Sequence, residues 1–149
     1  MMLRWLLAAL HLLALGIGFG AIVSRAAALR GTLDVAGIRR VLGADTAWGI
    51  AALLWIATGL LRAFAGFEKG TAYYVGNTMF WHKMGLLVVI IVLEIPAAAT
   101  FGRWRSTLRR GGQVDTSRAR RFARISTVQI VLVVLMVFAA TAMARGFLY

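Results

Sequence analysis

Four long apolar runs, each bracketed by charged residues, constrain this chain more than any other feature. They lie between Arg4 and Arg25, Asp45 and Glu68, Lys83 and Arg103, and Arg124 and Arg145. At 1.5 Å per helical residue each interval covers about 30 Å, the thickness of the hydrocarbon layer of a bilayer. The runs therefore predict four transmembrane helices, over about 4–25, 46–67, 80–103 and 124–146, in one all-α integral membrane four-helix bundle. Composition agrees: 61% of the 149 residues are hydrophobic and the mean hydropathy is +0.82, values that exclude disorder and do not fit a soluble domain. The small residues of "SRAAALR" after the first run resemble a signal-peptide cleavage region, but the apolar core is longer than the about 7 to 15 residues of such a signal. The first helix is therefore expected to stay as an anchor. With no cysteine, disulfide, thiolate and thiol redox chemistry are excluded.

The formal charge of +12 is distributed by topology. The connection between runs one and two holds four arginines, Arg25, Arg30, Arg39 and Arg40. That between runs three and four holds eight, Arg103, Arg105, Arg109, Arg110, Arg118, Arg120, Arg121 and Arg124, so 12 of the 17 basic residues share one side. The positive-inside rule makes both connections cytoplasmic and both termini periplasmic, in a bacterial inner membrane. Aromatic belts agree: Trp5, Phe67, Tyr73, Tyr74, Phe80, Trp81, Phe147 and Tyr149 fall near the outer boundary, and Trp48, Phe101, Trp104 and Phe122 near the inner one. "RWRSTLRRGGQVDTSRARRFAR" reads as a loop gripping anionic headgroups, with no nucleic-acid role. Leu33, Val35, Ile38, Val41 and Leu42, set among basic residues, predict a short interfacial helix over about 33–43 lying on the cytoplasmic leaflet.

Polar residues inside the runs mark candidate chemistry. His11 sits about 10 Å below the outer boundary and Glu94 near the midplane, while Arg62, His82 and Lys83 lie close to the outer headgroups. Lys83 and Glu94, eleven residues apart, share one helix face that must look into the bundle. A buried acid costs about 2.5–3.5 kcal/mol near the midplane, so Glu94 is protonated or paired, and it is the proton-sensitive candidate. Trp48, Ala52, Trp55, Gly59 and Arg62 draw one stripe on the second helix. Gly16 and Gly20 offer a small-xxx-small face for close helix approach, or for a homodimer, with Gly18 on another face. Pro96 predicts a kink. The bland alternatives are that His11 bonds a backbone carbonyl or Gln129, that Arg62 and Lys83 snorkel, and that Met84, Met136 and Met143 only pack.

This set suits a b-type haem: His11 on the iron, Arg62 and Lys83 on the propionates, Trp55 and Gly18 against the ring, with His82, Met84 or an open position opposite His11. Copper held by His11, His82 and Met84 is the competing metal reading. A third is a polar cavity around Glu94, Lys83 and His11 in a proton-coupled transporter or a lipid-modifying partner protein. Hydrolytic catalysis by a Ser–His pair is not expected, since Ser24, Ser106, Ser117 and Ser126 fall on or near the cytoplasmic side, away from both histidines.

The segments "LLAALHLLALGIGFG", "WGIAALLWIATGLLRAF", "EKGTAYYVGNTMFWHKMGLL" and "ARISTVQIVLVVLMVFAATAMARG" resemble an uncharacterised bacterial family of small four-helix inner-membrane proteins, a domain of unknown function. More remotely, the arrangement is similar to the copper-resistance D-type membrane domain and to the haem-containing membrane protoporphyrinogen oxidase. In the oxidase a histidine in the first helix and a lysine opening a later one are functional, and they match His11 and Lys83. The resemblance implies a membrane haem protein for electron transfer or oxidation of a small hydrophobic substrate. The redox partner is not legible.

Overall fold

The computed structural model describes residues 2–66 and 70–146. It contains five helices among them: α1 Met2–Ala28, α2 Val35–Phe64, α3 Thr71–Gly76, α4 Thr78–Arg109 and α5 Ala119–Ala144. All but the short α3 are long and apolar enough to cross a membrane. Phe67, Lys69, Phe147 and Tyr149 lie outside the described residues.

Local chemistry sets the ends. Asp34 caps α2 by accepting from Gly37 N at 2.7 Å, and Asn77 caps α4 by accepting from Met79 N at 2.9 Å. Gly66, Gly111 and Gly146 follow α2, α4 and α5 at φ between 69° and 76°, the left-handed conformation that glycine adopts without a Cβ penalty. Helix α4 runs unbroken through Pro96.

Two helices are longer than the apolar runs. At 30 and 32 residues, α2 and α4 are about 45 and 48 Å long and extend beyond a hydrocarbon layer. This corrects the interfacial helix over 33–43. From Val35 onward those residues form the first turns of α2, and Ile38, Val41 and Leu42 bury against Phe101, Trp104 and Phe122. Their apolar face found a protein partner instead of a leaflet.

The four long helices alternate in direction, leaving both chain ends at one end of the bundle (the terminal end) and both basic connections at the other (the loop end). Helix α1 packs along α2 and α5, and α5 along α4. Contact between α2 and α4 is confined to a few points. At the loop end they share the aromatic core, where Phe101 lies 5.3 Å from Trp104 and 5.4 Å from Phe122. At the terminal end Phe64 and Phe80 meet edge-on at 6.1 Å.

Close approach of α1 and α2 uses a different glycine from the expected pair. Gly16 and Gly20 have open space where a Cβ would stand, whereas a Cβ on Gly18 would lie 3.3 Å from Ala51 Cβ and 3.6 Å from the Trp48 ring. The two-residue offset turns Gly16 and Gly20 away from the seam, because a helix advances 100° per residue.

Candidate functional site

At the terminal end, α1, α2, α4 and α5 part to enclose a cavity of about 300 Å³. His11, Trp55, Gly59, Arg62, Lys83 and Met84 are among its lining residues. Trp55, Gly59 and Arg62 recur on one face of α2, and Lys83 and Met84 open α4, so the helical period delivers these side chains to one space.

The histidine is held at one nitrogen. His11 Nδ1 lies 2.9 Å from Thr58 Oγ1, and the Thr58 hydroxyl donates its single proton to Leu54 O at 2.7 Å. With the Thr58 proton on Leu54 O, the imidazole donates Nδ1–H to Thr58 and Nε2 is the lone-pair nitrogen. Among the described residues nothing hydrogen-bonds to Nε2. The ring tilts beside Trp55, 5.8 Å between centroids. Gly59 makes room for it, since a Cβ there would lie 3.1 Å from His11 Cε1.

Two cations share the wall. Among the described residues, Lys83 makes no hydrogen bond or ion pair and no carboxylate lines the cavity. Helix α3 roofs the space. The Tyr73 hydroxyl donates to Met143 O on α5 at 2.9 Å, and Tyr74 packs 5.7 Å from Phe80.

A second polar assembly, nearer the loop end, dominates the buried charge. Arg25 has no solvent exposure and uses all five N–H groups. Nε donates to Ser126 Oγ at 3.1 Å; Nη1 donates to Asp45 Oδ1 at 2.8 Å and Glu94 Oε1 at 2.7 Å; Nη2 donates to Glu94 Oε2 at 2.9 Å and Gln129 Oε1 at 2.8 Å. Glu94 Oε2 also accepts from Trp48 Nε1 and Gln129 Nε2. Asp45 is bridged again by Arg105, which donates to Leu42 O and Thr46 Oγ1 as well. The guanidinium carbon of Arg25 lies 5.5 Å from the centroid of the Phe101 ring. Two arginines and two acids, drawn from α1, α2 and α4, thus neutralise one another with help from α5.

The candidates read from the sequence divide accordingly. His11, Trp55, Arg62, Lys83 and Met84 share the cavity. His82 does not: it is exposed, with Nδ1 2.9 Å from Thr78 O one turn back in its own helix. One residue before Lys83, it is rotated 100° off the inward face, so it cannot join His11 on a metal. Gly18 is a packing residue beneath Trp48 and Ala51, away from the ring position expected for it. Glu94 is paired with Arg25 and lies outside the cavity lining. Among the described residues, no group of three or more His, Cys, Asp or Glu is placed to hold a metal ion.

Sequence reasoning missed Arg25 and Asp45, which served only as span boundaries. The usable signal was the need of Glu94 for a partner, with Gln129 and Ser126 at matching depth on the last helix. His11 likewise meets not Gln129 but the Trp55 backbone and the Thr58 hydroxyl, a group that the sequence hides in an apolar run.

No curated protein and no solved structure matches the chain. One family model does, over residues 3–147, and its description is a predicted membrane protein. That description agrees with the four apolar helices, and the match spans nearly the whole chain: the chain belongs to the DUF2214 family of predicted membrane proteins.

Proposed function

We propose that this protein is a membrane haem b-binding protein serving electron transfer or the oxidation of a small hydrophobic substrate. The observation that carries the reading is His11. Its Nδ1 is held at Thr58 and, among the described residues, its Nε2 has no hydrogen-bond partner, the arrangement by which an acceptor behind the ring prepares an imidazole for metal. It stands in a cavity whose described lining holds two cations and no carboxylate. His11 would hold the iron through Nε2, Lys83 and Arg62 would meet the propionates, and Trp55 would wall the ring. Haem supplies a one-electron redox centre when bound. The chain's own share is to orient the imidazole, neutralise the acid groups and keep water out behind the aromatic roof.

In this reading both basic connections are cytoplasmic, held at anionic headgroups, so the cavity occupies the periplasmic half of a bacterial inner membrane. A copper site is the second reading. It is favoured by Met84, Met136 and Met143, which line the same cavity as His11 and offer soft thioether ligands. Glu94 keeps a structural part in either case, because its ion pair with Arg25 would have to break before it could exchange protons with a solute.

Protein purified in detergent and supplied with haemin tests the proposal. A Soret band lost in His11→Ala, and weakened or shifted in Thr58→Val, is the expected result. Colourless protein that takes up no haemin refutes it, and copper retained through dialysis in that colourless protein, then lost in His11→Ala, selects the second reading.

A further inference from the structure

The lining of the cavity is sorted by polarity. Lining residues that reach the outer surface are Leu12, Leu60, Phe64, Val137, Thr141 and Ala144, apolar apart from one hydroxyl. The charged and imidazole side chains, His11, Arg62 and Lys83, are half-buried behind them. Val137 and Leu60 belong to the last two turns of α5 and α2, helices long and apolar enough to cross a membrane. Toward the water at the terminal end the space is roofed by α3, tied to α5 through Tyr73 and packed on Phe80 through Tyr74. A solute from water would meet aromatic rings, whereas one dissolved in the bilayer would meet an apolar mouth with cations behind it.

We infer that this cavity receives its ligand sideways from the hydrocarbon layer, and that the ligand is a membrane-dissolved amphiphile bearing a carboxylate that pairs with Lys83. The inference rests on the reading that this cavity is the ligand site, but not on the ligand being haem. Charge complementarity carries it: an ammonium with no hydrogen bond or ion pair among the described residues, set among apolar walls, favours an anion far more than it would in water. The carboxylate of a lipid acid and the propionate of haem share this chemistry.

The absence of cysteine makes the test direct. Met84→Cys, or Ala140→Cys where the first variant folds poorly, places a thiol on the cavity wall, and Thr71→Cys on exposed α3 gives a water-facing reference. In colourless protein reconstituted into phosphatidylcholine vesicles, N-ethylmaleimide should label the cavity thiol, while a charged trimethylammonium methanethiosulfonate should label Thr71→Cys far faster than the cavity position. Oleate in the vesicles should slow cavity labelling about tenfold, as expected of a ligand at roughly ten times its dissociation constant. Oleyl alcohol should not, and Lys83→Met should abolish the protection by oleate. Equal labelling of both positions by the charged reagent overturns the lateral route. Protection by the alcohol, or protection that survives in Lys83→Met, overturns the carboxylate. A His11-dependent Soret band without oleate protection assigns the cation to propionates and overturns the lipid acid, whereas protection in protein that never binds haemin supports the inference while the haem reading alone fails.

Discussion

Replacing Arg25 by methionine should be among the most damaging single substitutions in this protein, and the structure says how damaging. The guanidinium is fully buried and makes five hydrogen bonds, two of them to Glu94 and one to Asp45. Its loss is not felt equally by the two acids. Asp45 keeps Arg105, 2.7 Å away, whereas Glu94 keeps only the neutral donors Trp48 and Gln129. The uncompensated charge is therefore Glu94 alone, and breaking a buried pair by removing one partner costs about 3–5 kcal/mol. Taking the carboxylate away as well, in Arg25→Met with Glu94→Gln, removes that charge while Asp45 and Arg105 still pair, so most of the loss should return, leaving about 1 kcal/mol from hydrogen bonds to Ser126 and Gln129. The two substitutions should thus show strong negative non-additivity in a double-mutant cycle. Reversible unfolding in mixed micelles, followed by near-ultraviolet circular dichroism, gives the four free energies. An Arg25→Met protein within 1 kcal/mol of the parent, or a double variant no more stable than the single, would refute the assignment of the cluster as a neutralised unit.

Four further outcomes are expected. Asp45→Asn should cost less than Arg25→Met, because Arg105 is partly exposed and can turn toward solvent; the same unfolding assay ranks them. Gly37→Ala should destabilise strongly, since its Cβ would run into the Thr32 carbonyl oxygen, while Gly16→Ala, with open space around it, should stay within about 0.5 kcal/mol in micelles. Gly59→Val should push the imidazole off Thr58 and abolish ligand binding at the cavity with little loss of helix content, read by titration and circular dichroism. Asp115, in the loop after α4, accepts from Ser117 N at 2.9 Å, which holds its carboxyl below the usual carboxylate range; the turn is therefore fully formed above the ordinary aspartate pKa and is lost as pH falls through the lowered one, a transition that carbon-13 NMR of the side chain would follow and that Ser117→Pro should shift upward.

The number of long apolar helices was legible in the sequence because a hydrocarbon layer imposes one rule on every spanning segment: enough apolar residues, with the backbone satisfied internally. The gathering of His11, Trp55, Arg62, Lys83 and Met84 was legible too, since polar residues in the same half of neighbouring apolar helices have little choice but to face one another. What depended on the azimuth of each helix was not. One residue of rotation separates Lys83 in the cavity from His82 outside it, and two separate Gly18 in the seam from Gly16 and Gly20 outside it. Nor could depth alone say that Arg25 and Asp45 turn inward to Glu94, because a charged residue at the edge of a run has headgroups and water as an equally good destination. That choice is made by packing, when α4 and α5 bring Glu94, Gln129 and Ser126 within reach and a long side chain finds every donor matched. The bilayer sets what this sequence must be; helix rotation, fixed only by side chains meeting in three dimensions, sets where its chemistry lies.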